Sequence, residues 1–135
     1  MALQLSTAVR NAMLDAIETT IGTSAVLKIR TGAPPASVAT ADSGTVLATL
    51  TLPSDWMAAA SAGSKAKNGT WEDASADAAG TAAHYRIYAS DGTTAHLQGT
   101  VTATGGGGDL TVDNTVFAAG QSFSITSFSL TAANS

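Results

Sequence analysis

The hydrophobic period of this chain changes at Gly22, and that change limits what it can fold into. Before it, Val9, Met13, Ile17 and Ile21 recur at four-residue spacing, with Ala12 and Ala16 beside them. The spacing predicts an amphipathic helix of about four turns. Ser6 or Thr7 caps its start and Gly22 stops it. Arg10, Asn11, Asp15 and Glu18 fall mostly on the side away from the apolar stripe. After Gly22 the period is two. "AVLKIRTG" sets Leu27 and Ile29 against Lys28 and Arg30, and "TVLATLTL" sets Val46, Ala48, Leu50 and Leu52 against Thr49 and Thr51. Between them, "TGAPPASVATADSG" carries two prolines that forbid regular ladder pairing.

Further strands are expected near 82–89, 93–103, 109–113 and 121–132. In the last, Phe123 and Ile125 are odd-numbered while Phe128 and Leu130 are even, so a β-bulge or bend is expected near Thr126 and Ser127. Residues 53–80 read mostly as a long surface loop. "SDWMAAASA" allows a short helix capped by Ser54 or Asp55, and Asn68-Gly69 a turn into a short strand through Trp71. The expectation is a mainly β fold: an N-terminal amphipathic helix followed by a seven- to eight-stranded antiparallel β-sandwich or jelly-roll-like barrel. The helix or arm occupies 1–22 and the β-sandwich 23–135, as one domain. A chain of 135 residues buries roughly two-thirds of its unfolded surface, so its core needs no disulfide.

Both histidines lie in "AHYRIYASDGTTAHLQGTV", residues 83–101. The apolar positions are odd on both of its strands, so opposed residues must pair odd with odd. A two-residue Asp91-Gly92 loop breaks that rule. A three-residue loop, Ser90-Asp91-Gly92, keeps it and puts Gly92 where a left-handed residue is needed. Arg86 then faces His96 and His84 faces Gln98, with Tyr88 nearby on the same polar face. Two imidazoles with a guanidinium between them make a poor zinc site, and neither strand carries a carboxylate to complete it. Two readings stand: a solvated sheet face, or a protein interface formed by His84, Arg86, Tyr88, His96 and Gln98.

No other stretch carries a catalytic or ligand-binding pattern. "TGGGGDLTVDN" lacks the Gly-Lys-Ser/Thr ending of a phosphate loop and places Leu110 where a calcium repeat needs Asp, so it reads as a flexible turn. Glu72, Asp73 and Asp77 match no calcium loop spacing and read as a solvated acidic turn. Trp56 and Trp71 flank the irregular region, either anchoring it to the core or stacking on a sugar ring. "NGT" at 68–70 fits a glycosylation sequon but has no secretion signal beside it. No enzyme, cofactor or metal is expected.

With zero Cys, thiolate chemistry is excluded. Ten acidic against six basic side chains give a net charge of −4, which argues against a nucleic-acid partner. Charged residues make up 12% of the chain, about half the usual share of roughly 25%. The surface is therefore built largely of Ala, Ser, Thr and Gly, is cheap to desolvate, and suits broad packing against other proteins. No signal peptide and no membrane-spanning run is read in the sequence.

Several stretches together resemble a family of small structural proteins encoded by tailed bacteriophages and prophages. They are "LSTAVRNAMLDAIETTIG" leading into "VLKIRTGAPPA", then "LATLTLPSDWM", "HYRIYASDGTTAHLQGTV", and "DLTVDN" with "GQSFSITSFSLTAAN". The likeness extends over nearly the whole chain and contains no catalytic motif. It implies a virion structural protein, first a head decoration or cement protein and second a tail component. The implied partners are the major capsid protein and further copies of the same chain, and the implied place is the outer capsid surface after synthesis in the host cytoplasm. A carbohydrate-binding or adhesive module using Trp56 and Trp71 is the reading from another class.

Overall fold

The structure is a computed structural model and describes residues 3–132. Residues 1–2 of the expected arm and 133–135 of the expected β domain lie outside the described residues. Among the described residues one helix, α1 (Thr7–Ile21), precedes eleven strands. Ser6 caps the helix by accepting from Val9 N–H at 3.2 Å, and Gly22 closes it by donating to Glu18 O at 2.9 Å. The fold is mainly β, built on a curled five-stranded sheet with several small sheets.

The large sheet has the order β2-β1-β6-β7-β8, from β1 (Val26–Arg30), β2 (Val46–Thr51), β6 (His84–Tyr88), β7 (Ala95–Ala103) and β8 (Leu110–Val112). Strands β2, β1 and β6 carry Leu50, Leu27, Ile29 and Ile87, all 0% exposed, on the core side. In β2, Leu47 is the extra residue of a bulge against Arg30 and is also fully buried.

The irregular region was expected to be mostly a surface loop with one short strand through Trp71; that strand forms as β4 (Trp71–Asp73), and two further strands, β3 (Ser64–Ala66) and β5 (Gly80–Thr81), form beside it. No helix forms at "SDWMAAASA", because Trp56 and Met57 are drawn into the core and Met57 bridges to Lys67. The partners of these strands come from the C-terminal part of the chain. β9 (Val116–Phe117) pairs with β5, β10 (Phe123–Ile125) with β4, and β11 (Ser129–Thr131) with β3. The parity shift at 126–127 has its cause here. It is neither a bulge nor a bend within one strand but the point where the chain leaves β4 and joins β3. Phe128, at the changeover, is buried between Trp71 and Tyr85, with ring centroids 5.4 and 5.8 Å away.

Two expectations about pairing need correction. β7 and β8 are parallel, Val101 opposite Leu110, although only residues 104–109 connect them. Parallel neighbours ordinarily need a crossover of a dozen residues or more. Here the tetraglycine folds tightly over Thr102, whose Oγ1 accepts from Gly108 N–H at 3.0 Å. A Cβ on Gly106 or Gly108 would come within 2.8 Å of Thr102, so this turn is a packed element and only glycine fits it.

The second correction is the hairpin register. Residues 90–93 form a four-residue loop closed by Ala89 N–H donating to Thr94 O, because Asp91 accepts from the N–H groups of both Thr93 and Thr94. A bulge follows, with Tyr88 opposite Ala95 but Ile87 opposite Leu97. Arg86 therefore faces Gln98, not His96, and His84 faces Thr100, not Gln98. The odd-with-odd rule holds beyond the bulge, and His96 is the residue it extrudes.

Candidate functional site

The polar face of the hairpin is neither solvated nor open to a partner. Residues 31–45 cross it as a strap, and His84, Arg86 and Tyr88 beneath are 0%, 2% and 0% exposed. Arg86 donates to Asp42 Oδ1 at 2.7 Å, to the carbonyls of Ser37 and Thr40 at 3.1 and 2.9 Å, and to Gln98 Oε1. Gln98 in turn donates to Pro35 O at 2.8 Å. Tyr88 Oη–H donates to Asp42 at 2.8 Å, and Arg30 reaches the other carboxylate oxygen at 2.9 Å. His84 Nδ1 lies 2.7 Å from Gly32 O, so that nitrogen carries the hydrogen.

The strap exists because β1 and β6 put Lys28, Arg30 and Arg86 on one face with no carboxylate of their own. Asp42 supplies the missing charge from the loop, while Lys28 turns to the carbonyl of Gly92 and lies 5.0 Å from the centre of the Tyr88 ring. Partial burial pushes the Asp42 carboxyl up. The hydrogen bond from Tyr88 and the charges of Arg30 and Arg86 outweigh it and hold the group below the usual carboxylate range. Burial first, and the bond to Asp42 second, raise the Tyr88 phenol.

Of the residues singled out as an interface, only His96 is exposed, and Gln98 is half-buried with its amide under the strap. His96 lines a groove of about 270 Å³ with Leu97 and the helix residues Met13, Ala16, Ile17 and Ile21. The helix is turned relative to expectation. Val9 and Met13 of its apolar stripe are 46% and 51% exposed, and Leu14 is the residue it buries alongside Ile21. Its polar edge faces the domain instead. Asn11 accepts from Gly63 N–H at 2.9 Å and Asp15 from Ala60 N–H at 3.0 Å. Asp15 and Glu18 hold Lys65, which is 2% exposed, at 2.7 and 2.9 Å. Lys65 explains the turn, since a buried ammonium needs paired carboxylates. Burial lowers its pKa, but the two carboxylates outweigh that and raise it.

Trp56 and Trp71 are both 0% exposed, with ring centroids 6.0 Å apart. Their indole N–H groups donate to Gly22 O and Asn68 O. Neither ring offers a face to a sugar. The acidic turn is not merely solvated: Asp73 accepts from Thr49 N–H at 2.9 Å and Asp77 from Thr49 Oγ1 at 2.7 Å, pinning the 73–77 segment to β2. No group of three or more His, Asp or Glu with metal-binding proximity occurs among the described residues. No described helix is long and apolar enough to cross a membrane.

The sequence hid the strap network because its organising residue, Asp42, sits far from the hairpin in a loop with no period. The available signal was three cations alternating onto one sheet face. Scans of family models and searches of curated proteins and of solved structures found no match for this chain.

Proposed function

We propose that this chain is a non-enzymatic virion structural protein, a head decoration or cement protein that binds and stabilises the major capsid shell from its outer surface. The resemblance to small phage structural proteins suggests the class, and one observation carries the reading further. All six Lys and Arg side chains are engaged within the chain. Arg30, Arg86 and Lys65 are buried against carboxylates; Arg10, Lys28 and Lys67 donate to main-chain carbonyls. With three of the six cations buried against carboxylates, the surface is sparse in positive charge. Such a surface loses little on desolvation, repels nucleic acid, and suits repeated modest contacts on a symmetric lattice, where attachment strengthens through many copies. The exposed Val9 and Met13 beside the helix groove add an apolar contact to it.

In this reading the β3–β11 and β4–β10 pairs are the second layer of a sandwich or jelly-roll-like arrangement, with Phe128 and the two tryptophans between the layers. The partners are the major capsid protein and further copies of this chain. The test is the copy number of the protein in purified particles. Abundance comparable to the major shell protein supports decoration. A small fraction of that abundance moves the protein to the tail, and absence from particles sinks both.

A further inference from the structure

Between β7 of the large sheet and β11 lies an open cleft of about 430 Å³. Tyr85 and Phe128 form its floor, and the half-buried Leu97 and Leu130 its walls. Tyr85 lies across the sheet from Gly99, where a Cβ would fall 2.8 Å from the phenol ring and 2.9 Å from the carboxylate of Asp109. Glycine there lets the ring and the carboxylate share one corner of the cleft.

The main chain on both sides is open. Lys67 N–H donates to Phe128 O and Ala132 N–H to Gly63 O, so β11 bonds β3 through alternate residues, 128, 130 and 132. By that alternation the N–H and C=O of Ser129 and Thr131 point away from β3. On the facing wall, Val101 N–H donates to Ala83 O, so the odd residues of β7 bond β6 and Gln98 turns its main chain outward. The β8 pairing begins at Val101 and does not reach it. These outward groups have no partner among the described residues, and unpaired edges of this kind template strand addition.

We propose that this cleft takes an extended segment of a different polypeptide, which pairs with Ser129 and Thr131 and sets a Lys or Arg against Asp109. Among the described residues Asp109 is the only charged one lining the cleft. Its Oδ2 accepts from Thr100 N–H and Oγ1, whereas Oδ1 has no partner among the described residues. The cation does not come from a second copy, because every Lys and Arg of this chain lies in α1, in a strand already paired, or at the Met57–Lys67 bridge, and none sits in a free extended segment. The proposal deepens the shell-binding reading and rests on it for the partner's identity, the segment then belonging to the shell protein. The cleft itself does not depend on that reading.

The experiment is an NMR titration of the isotope-labelled protein with a seven-residue peptide of alternating Val and Thr carrying a central Lys, its ends blocked. Saturable amide shifts at Gln98, Ser129 and Thr131 are expected. A central Glu in the peptide, or Asp109→Asn in the protein, should weaken binding about tenfold, the scale of one charge-assisted contact. Ser129→Pro removes an N–H that the fold itself does not use and should weaken binding similarly without changing the thermal midpoint. No shifts at millimolar peptide, shifts confined to the helix groove, or equal binding of the Lys and Glu peptides would overturn the proposal. Particle binding without peptide shifts removes the cleft and leaves the shell reading intact. Peptide binding by a protein absent from particles does the reverse.

Discussion

Replacing Asp42 with Ala tests the strap network most directly. The change removes three contacts at once, to Arg86 at 2.7 Å, Tyr88 at 2.8 Å and Arg30 at 2.9 Å. The arginine side chains are 2% and 8% exposed, so two guanidinium groups lose their counter-charge with little water to replace it. Removing one member of a buried ion pair costs about 3–5 kcal/mol. The Asp42 side chain is 36% exposed, so water partly resolvates the site and the lower end, about 3 kcal/mol, applies. For a domain of this length that is a fall of about 10 °C in thermal midpoint. Acid provides the internal control. The folded pKa of Asp42 lies below its unfolded value, so its contribution is complete above the unfolded carboxylate range and is lost as pH falls through the folded pKa. Urea unfolding of both proteins from pH 7 to pH 2.5 should show a gap at neutral pH that closes in acid. A neutral-pH loss below about 1 kcal/mol, the worth of one ordinary hydrogen bond, or a gap that does not narrow in acid, would refute the account of the strap.

Three further outcomes are expected. Lys65→Met should cost about 1–3 kcal/mol by freeing the helix from Asp15 and Glu18; in the wild type the Lys65 contribution, present below its unfolded pKa, should fade only as pH rises through its elevated folded value, read as midpoint against pH above 10. Gly99→Ala should cost about 1–3 kcal/mol by forcing Tyr85 and Asp109 apart, and unchanged stability by denaturant titration would contradict the close contact. Trp71→Ala should cost about 3–5 kcal/mol, since the indole is fully buried against Trp56 and Phe128, and calorimetry reads it as a large midpoint drop.

What the sequence made legible was local. The helix ends at Ser6 and Gly22, the alternation of β1 and of β2 from Ala48 onward, and the odd-with-odd pairing of β6 and β7 all follow from neighbours within a few residues, whereas Val46, expected inward, lies opposite Arg30 across the bulge. What it concealed were choices made at long range. The helix stripe of Val9 and Met13 read as bound for a core or a neighbouring subunit; it does not enter this domain's core, because Lys65 requires Asp15 and Glu18 to face inward instead. Phe123 and Phe128 looked like one strand with a defect, yet Phe123 pairs with β4 and Phe128 leads into the pairing with β3, partners that lie fifty or more positions earlier. The hairpin register failed for a smaller reason: parity admits several registers, and the side chain of Asp91 selected the wider loop. The candidate interface was misplaced because a loop without period concealed Asp42, the counter-ion that folds over it.

The docking of α1 also dictates an order of events during synthesis. Its contacts include Ala60, Gly63, Lys65 and, through Arg10, the carbonyl of Ala132, a residue whose N–H donates to Gly63 O. The helix leaves the ribosome before β3 and β11, and the surface that receives it is not complete until β11 has been translated and has paired with β3. Through most of elongation Leu14 and Ile21 have no finished core to enter. The helix is made before β3 and β11 but can be fully seated only after they have paired, so its docking reports on the completion of the rest of the fold.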